Sequence, residues 1–261
     1  MEKKKKSAKY LVISVFSLIG FFLIWEILTA WIQIVPDYVM PSPVRILRTF
    51  IAKLTSKIPD GATLFQNLVA SLEVAVSGFL AGSVLGVPLG MAMAWNKKVD
   101  LFARPLFDLL RPIPPLAWIP VMILWLGIGT PAKAAVIFMS AFIPNVINSY
   151  MGIKQTNPVH LWVGQVFGAA RGELFRKVAL PTALPYVFTG LRISLGTSWV
   201  SLVAAEMLAS VRGLGYMIQI GRLVSRPDVI IVGMLTIGAV GALLAFLLKL
   251  VEDRFVRGGN K

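Results

Sequence analysis

The sequence predicts an all-α, polytopic membrane protein with six transmembrane helices. Of its 261 residues 57% are hydrophobic, and its mean hydropathy is +0.77, whereas soluble domains sit near roughly 45–50% apolar. The excess is gathered into runs of about 20 or more residues, long enough as helices to cross a hydrocarbon core of roughly 30 Å. The polar and basic residues collect between those runs. A net charge of +14 on a soluble chain would point to nucleic acid; here the basic residues lie where membrane topology puts them, so lipid, not nucleic acid, is the expected surrounding. The chain has no cysteine and one histidine, His160, which excludes disulfides, thiolate metal sites and histidine-cluster chemistry.

Residues 1–9 read MEKKKKSAK, a basic tail, and residues 10–31 are almost wholly apolar. A secretory signal has the same order, but its apolar core runs only about 7–15 residues. This run is longer and ends in Trp25 and Trp31, aromatic residues that suit the bilayer interface. It is therefore read as an uncleaved first span. Residues 32–63 form an external segment holding Pro36, Pro41, Pro43 and Pro59. Within it Val44, Leu47, Ile51 and Leu54 recur at helical spacing, which predicts an amphipathic helix on the outer surface.

Residues 64–251 hold five further spans. The second, 64–95, carries Gly78, Gly82, Gly86 and Gly90, one slanting ridge without side chains where a neighbouring helix can come close. The third, 101–127, contains Pro105, Pro112, Pro114, Pro115 and Pro120. Each interior proline removes a backbone bond and clashes with the preceding turn, so a continuous helix through RPIPPLAWIP is not expected. Broken backbone at membrane depth is tolerated only where it is buried in protein or lines a cavity. Arg111, Pro112, Pro114, Pro115 and Trp118 are therefore the candidate path or gate. A tight turn at 127–133 precedes the fourth span, 134–151; the fifth is 184–208, a second external segment follows at 207–228, and the sixth span is 229–251. Residues 252–261 are a polar tail.

Six spans put both termini on one side. The tails, the 95–104 turn, the loop at 152–183 and Lys249 at the tail end of the sixth span carry sixteen Lys and Arg, the opposite loops eight, and the remaining two of the 26, Arg111 and Arg192, lie deeper in spans. This bias puts both termini and the long loop in the cytoplasm. A charge at bilayer depth costs about 2.5–3.5 kcal/mol on insertion scales, so Glu26, Glu73, Asp108, Arg111, Arg192 and Glu206 each need a partner or water. Asp108 and Arg111, at i and i+3, can pair on one helix face.

The loop is the longest polar interruption of the C-terminal half. Val166, Phe167 and Ala170 give it a small apolar face beside Arg171 and Lys177; Gly168 allows a bend or close approach, and Pro181 is expected to stop the loop helix before the fifth span. A membrane protein has little use for such a loop unless a soluble partner grips it.

At this loop the chain resembles the permease subunit of bacterial ABC importers, in the nitrate, taurine and alkanesulfonate branch. That family's loop follows Glu-Ala-Ala, three residues, Gly, nine residues, Ile, any residue, Leu-Pro. Gly168, Val178, Leu180 and Pro181 fall at those spacings, while the triplet positions hold Trp162, Val163 and Gly164. The likeness extends through PSP at 41–43, LRPIPPLAWIPVMILWLGIG at 110–129, LPYVFTGLRISLG at 184–196, AEML at 205–208 and GLG at 213–215. The resemblance implies a type I ABC importer permease fold in the inner (plasma) membrane. It implies two copies of the permease forming the path, two cytoplasmic ATPase subunits docked on the loops, and an extracellular or periplasmic protein that delivers substrate. It implies a small anionic substrate, with ATP and Mg2+ held by the ATPase and no cofactor on this chain. In agreement, the sequence has no GxxxxGK[ST] phosphate loop. A stand-alone secondary transporter or channel would need paired broken helices in internal repeats, and one broken span without a repeat is found. An intramembrane enzyme lacks its catalytic groups.

The topology is testable directly because the chain is free of cysteine. Ser7→Cys and Asn260→Cys are each expected to react with an impermeant thiol reagent only from the cytoplasmic face; external labelling of either overturns the six-span arrangement.

Overall fold

The computed structural model describes residues 2–36 and 38–256, and the side chains of 13–36 and 38–255. Asp37 and the tail at 257–261 lie outside the described residues, as do the side chains of the N-terminal basic run. The described residues form helices and turns without strands. The helices are α1 Glu2–Glu26, α2 Pro43–Lys53, α3 Leu64–Trp95, α4 Lys97–Leu110, α5 Ile119–Leu126, α6 Thr130–Lys154, α7 Pro158–Val166, α8 Arg171–Leu174, α9 Leu180–Ala209, α10 Leu214–Leu223 and α11 Pro227–Val256. Five of the helical stretches are long and apolar enough to cross a membrane. A sixth crossing is supplied by α4 and the segment from Pro115 through α5, if the pair spans as one; it is bent by 82°. The helix break thus falls at the prolines where the sequence places it.

Two compact units make up the chain. The first comprises residues 1–67 and 217–236. Ser42 caps α2 by accepting from the Arg45 amide, and Pro43 occupies its first turn, where a missing N–H costs nothing. The predicted stripe of Val44, Leu47, Ile51 and Leu54 is exposed, while Ile46, Thr49 and Lys53 are buried. Lys53 is not the surface charge the sequence suggests. Its ammonium donates to Asp60 at 2.5 Å and to the Ala62 carbonyl at 2.7 Å, and Asn67 donates to the other Asp60 oxygen at 2.6 Å. A buried pair survives only when its remaining valences are met like this. Thr49 likewise donates to Asp228, which also accepts from Arg226.

The second unit comprises residues 68–216 and 237–261. Its centre is α6, which packs most extensively on α9. The glycine ridge of α3 lies on the other flank of α6. A Cβ at Gly78 would stand 2.8 Å from the Ala134 carbonyl, at Gly82 2.7 Å from the Phe138 carbonyl, and at Gly90 2.3 Å from the Val146 carbonyl. The ridge exists for backbone approach, as its spacing predicts. Hydroxyls and amides then link the helices: Asn145 of α6 donates to Ser83 of α3 at 3.0 Å, and Ser140 of α6 to Ser201 of α9 at 2.7 Å. Pro144 cannot donate to the Ser140 carbonyl, and the Thr197 hydroxyl takes its place at 3.0 Å.

Two charges near the membrane acquire partners here. Glu206 is fully buried and accepts from Ser71 at 2.8 Å and from the Gly215 amide at 2.9 Å, while Ser71 accepts from the Leu214 amide at 2.8 Å. Gly213, at φ +127°, passes so close that a Cβ would lie 2.3 Å from the Glu206 carboxylate. AEML and GLG are therefore two halves of one contact. Arg192 pairs with Glu252. Lys133, read from sequence as a loop residue, is buried inside α6 and donates to Ser210 at 2.8 Å, because the turn ends at Gly129 and the helix begins at Thr130. Among the described residues Asp108 and Arg111 form no ion pair within 4.0 Å. Both are exposed at the end of α4, so separation leaves neither charge buried.

Gly82→Leu and Gly90→Val are expected to lower the melting temperature of the detergent-solubilised chain by about 5–10 °C or to prevent its recovery, because overpacking costs about 1–3 kcal/mol or more. Gly238→Leu, where nothing lies within 4 Å of the added carbon, is the control expected to leave it unchanged. Equal behaviour of all three would mean that the ridge does not hold α3 to α6.

Candidate functional site: a loop platform and a broken-span cavity

The loop begins at α7. Asn157 caps it by accepting from the Val159 amide, and Pro158 opens the first turn. Val159, Trp162, Val163, Val166 and Phe167 share one side at helical spacing and are all at least half exposed, Val166 and Phe167 at 85% and 86%. The apolar face is larger than Val166, Phe167 and Ala170 alone; the departures from the family triplet supply two of its members. At the end of α7 the Gly168 amide donates to Gln165 and the Ala169 amide to Gly164, both at 2.9 Å. This paired closure needs a left-handed residue, and Gly168 has φ +77°. Nothing in this chain lies within 4 Å of a Cβ at Gly168, so within the chain the glycine serves the bend. Gly164 meets the Leu174 side chain, which a Cβ would strike at 2.4 Å.

Arg171 does not extend the exposed face. It turns back, donates to the Trp95 carbonyl at 2.8 Å, and lies over the Trp95 ring at 5.8 Å. The last carbonyls of α3 have no helical partner, and a cation there also suits the helix dipole. Phe175 packs on the same indole at 5.3 Å. Glu173 accepts from the Ala170 amide and from Lys177, both at 3.2 Å. Pro181 does not stop the loop helix. Residues 171–209 are helical throughout, with a π-helical turn at Phe175–Ala179 leading into α9. A π turn reassigns the carbonyl that a proline cannot serve, so Pro181 enters the first turn of α9 without a break. Val178 sits in the π turn, and Leu180 packs against Met91, Ile153 and Ala183.

The second candidate is a cavity of about 450 Å³ beside the broken span. Arg111, Pro112, Pro114 and Pro115 line it together with Ser140, Thr197 and Ser201 of α6 and α9. Trp118 does not line it. It packs instead against the cluster of Met93, Phe107, Met139, Ile143 and Val146, because the 3-10 turn at Pro115–Trp118 carries it round. Ser140, Thr197 and Ser201 were missed from sequence. Small hydroxyl residues in apolar helices signal packing, and only their position opposite the proline segment shows that they also face a cavity.

The family model described as the binding-protein-dependent transport system inner membrane component matches residues 86–258. The taurine transport system permease protein TauC of Escherichia coli (strain K12) is 38% identical over 232 residues, covering 86% of this chain and 82% of that protein. The nitrate import permease protein NrtB of Synechocystis sp. (strain PCC 6803) is 36% identical over 226 residues, covering 85% and 82%. Among solved structures, the inward-facing MetNI methionine ABC transporter aligns with a TM-score of 0.61 at 23% identity, over 76% of this chain and 96% of the matched one; at that identity it speaks for the fold. The chain thus belongs to the family of inner-membrane permease components of binding-protein-dependent, ABC-type transport systems.

Proposed function

We propose that two copies of this chain form the translocation path of an ATP-driven importer for a small anion, and that the segment 152–183 is where cytoplasmic ATPase subunits dock. The observation that carries the docking assignment is the exposed apolar side of α7. A helix with five large apolar residues facing out, ended by a fixed glycine turn, fits a groove-binding partner. It is also anchored, since Arg171 and Phe175 fasten the loop to the end of α3. Force applied to α7 would reach a spanning helix without passing through slack chain. Val166 and Phe167 are the docking contacts in this reading; Gly168, Arg171, Val178, Leu180 and Pro181 shape and brace the platform. ATP and Mg2+ belong to the ATPase, and an external binding protein delivers the substrate. Both termini are cytoplasmic in this arrangement. The substrate class rests on the taurine and nitrate relatives, and the cavity beside Arg111–Pro115 is its route.

Val166→Asp with Phe167→Asp is expected to abolish co-purification of the ATPase and cut uptake at least tenfold, with the chain still inserted and monodisperse. Gly168→Asn, whose side chain tolerates a left-handed backbone, is expected to keep more than half of the coupling, and Gly168→Val to lose it. Wild-type ATPase capture and uptake by the double aspartate variant would remove the docking assignment.

A further inference from the structure

The electrostatics of the broken span go further than its shape. Among the described residues, Arg111 is the one charged side chain lining the 450 Å³ cavity. It also lines a second cavity of about 340 Å³, together with Arg104, Asp108 and Tyr150. Arg111 is therefore a wall of both spaces. Each is many times the ~30 Å³ share of a water molecule, so a small hydrated anion fits either.

The partners of these charges differ in a telling way. Arg104 is heavily engaged: it donates to both Asp100 oxygens at 2.9 Å and to the Tyr150 hydroxyl at 2.5 Å. Lys53, Arg192 and Arg226 are each paired with a carboxylate as well. Arg111 forms no ion pair or side-chain hydrogen bond among the described residues. The hydroxyls around it are also occupied: those of Ser140 and Ser201 share one hydrogen bond, the Ser140 hydroxyl also lies 3.0 Å from the Val136 carbonyl, and Thr197 donates to the Ser140 carbonyl. The first cavity thus presents apolar walls, satisfied hydroxyls and one free guanidinium.

A polar group on a membrane path is costly, and an unpaired one marks what passes. We propose that Arg111 is the charge-selecting residue of the route: it admits a small oxyanion of the sulfonate or nitrate type to the first cavity and passes it to the second. There the charge of Arg104 is already offset by Asp100, and Asp108 faces the same space, so the anion is held less firmly and leaves. Conduction requires this order, binding strong enough to admit and weak enough to release. The planar guanidinium gives two parallel donors to such an oxyanion, a geometry that lysine lacks. This inference rests on the importer reading above.

The absence of cysteine makes the test clean. Thr197→Cys, in the first cavity, is introduced into the full chain in open membrane fragments. It is labelled with two methanethiosulfonate reagents of similar size, one bearing a sulfonate and one a trimethylammonium group. With Arg111 present, the sulfonate reagent is expected to be favoured over its ratio at Val166→Cys on the exposed loop. Arg111→Gln is expected to reduce that preference about tenfold, the scale for one unit charge within several ångströms in a watery space. Arg111→Lys is expected to retain most of it. An unchanged ratio in Arg111→Gln overturns the proposal, and so does a Thr197→Cys that neither reagent reaches. The ratio needs no ATPase, so it fails or holds independently of ATPase capture and uptake, which test the importer reading.

Discussion

The second unit depends on how close α3 can come to α6. In lipid, helices gain nothing by hiding apolar surface from one another, since the acyl chains are as apolar as leucine. What remains is dispersion and hydrogen bonding, and both fall off steeply with distance. Gly78, Gly82 and Gly90 remove the side chains that would hold the axes apart and let α3 backbone rest on the carbonyls of Ala134, Phe138 and Val146. Once that spacing is set, Ser83 can reach Asn145, and Asn145 can serve Ser194 on α9. The polar seam follows from the glycine ridge, because amide and hydroxyl groups of this length bridge only closely packed helices. α6 is thereby fixed on two flanks and becomes the frame against which the broken span is laid.

That frame explains how proline-rich sequence persists at membrane depth. Pro112, Pro114 and Pro115 offer no N–H to satisfy, and the chain turns through 82° between α4 and α5. Carbonyls left without helical donors must find others. The Ser140–Pro144 break in α6 shows one solution in full, a threonine from the next helix donating where the proline cannot. The cavity thus lies between the prolines that break the third span and a wall of hydroxyls on α6 and α9, where Thr197 repairs the gap that Pro144 leaves in the α6 ladder.

Much of this was legible in the sequence. The six apolar runs, the glycine ridge, the broken third span and the loop with its Gly168 and Leu180-Pro181 spacing depend on local pattern, and local pattern is what periodicity reads. The failures share a different character. Lys53 and Lys133 looked like loop charges, yet each is buried against a partner across a turn or distant in sequence: Asp60 for one, Ser210 for the other. Arg171 looked like a loose charge beside the apolar face and is tied to the Trp95 carbonyl at the end of α3. Pro181 looked like a helix stop, and a π turn absorbs it. Trp118 sat within the right motif but on the wrong side of a 3-10 turn. In each case the side chain's direction is decided by tertiary packing, which residue spacing alone does not encode.

The Glu206 contact shows how such hidden pairings work. A carboxylate buried in the last turn of an apolar helix would, on its own, argue for a titrating or transporting group. Here Ser71 and the Gly215 amide satisfy it, and Gly213 contributes by having no side chain at all. The Gly215 amide acts as a fixed dipole that needs no reorganisation, and the Ser71 hydroxyl adds a second donor, so the carboxylate is held without a full countercharge at contact distance. The same logic separates Glu206 from Arg111. One charge is wrapped by donors that the fold supplies and is removed from solvent; the other stands in a cavity whose neighbouring hydroxyls already have partners. Burial with satisfied valences marks a charge that holds structure, and exposure to a shared cavity without them marks a charge kept available for a ligand. This contrast, not the mere presence of charge in a span, assigns the two residues different work.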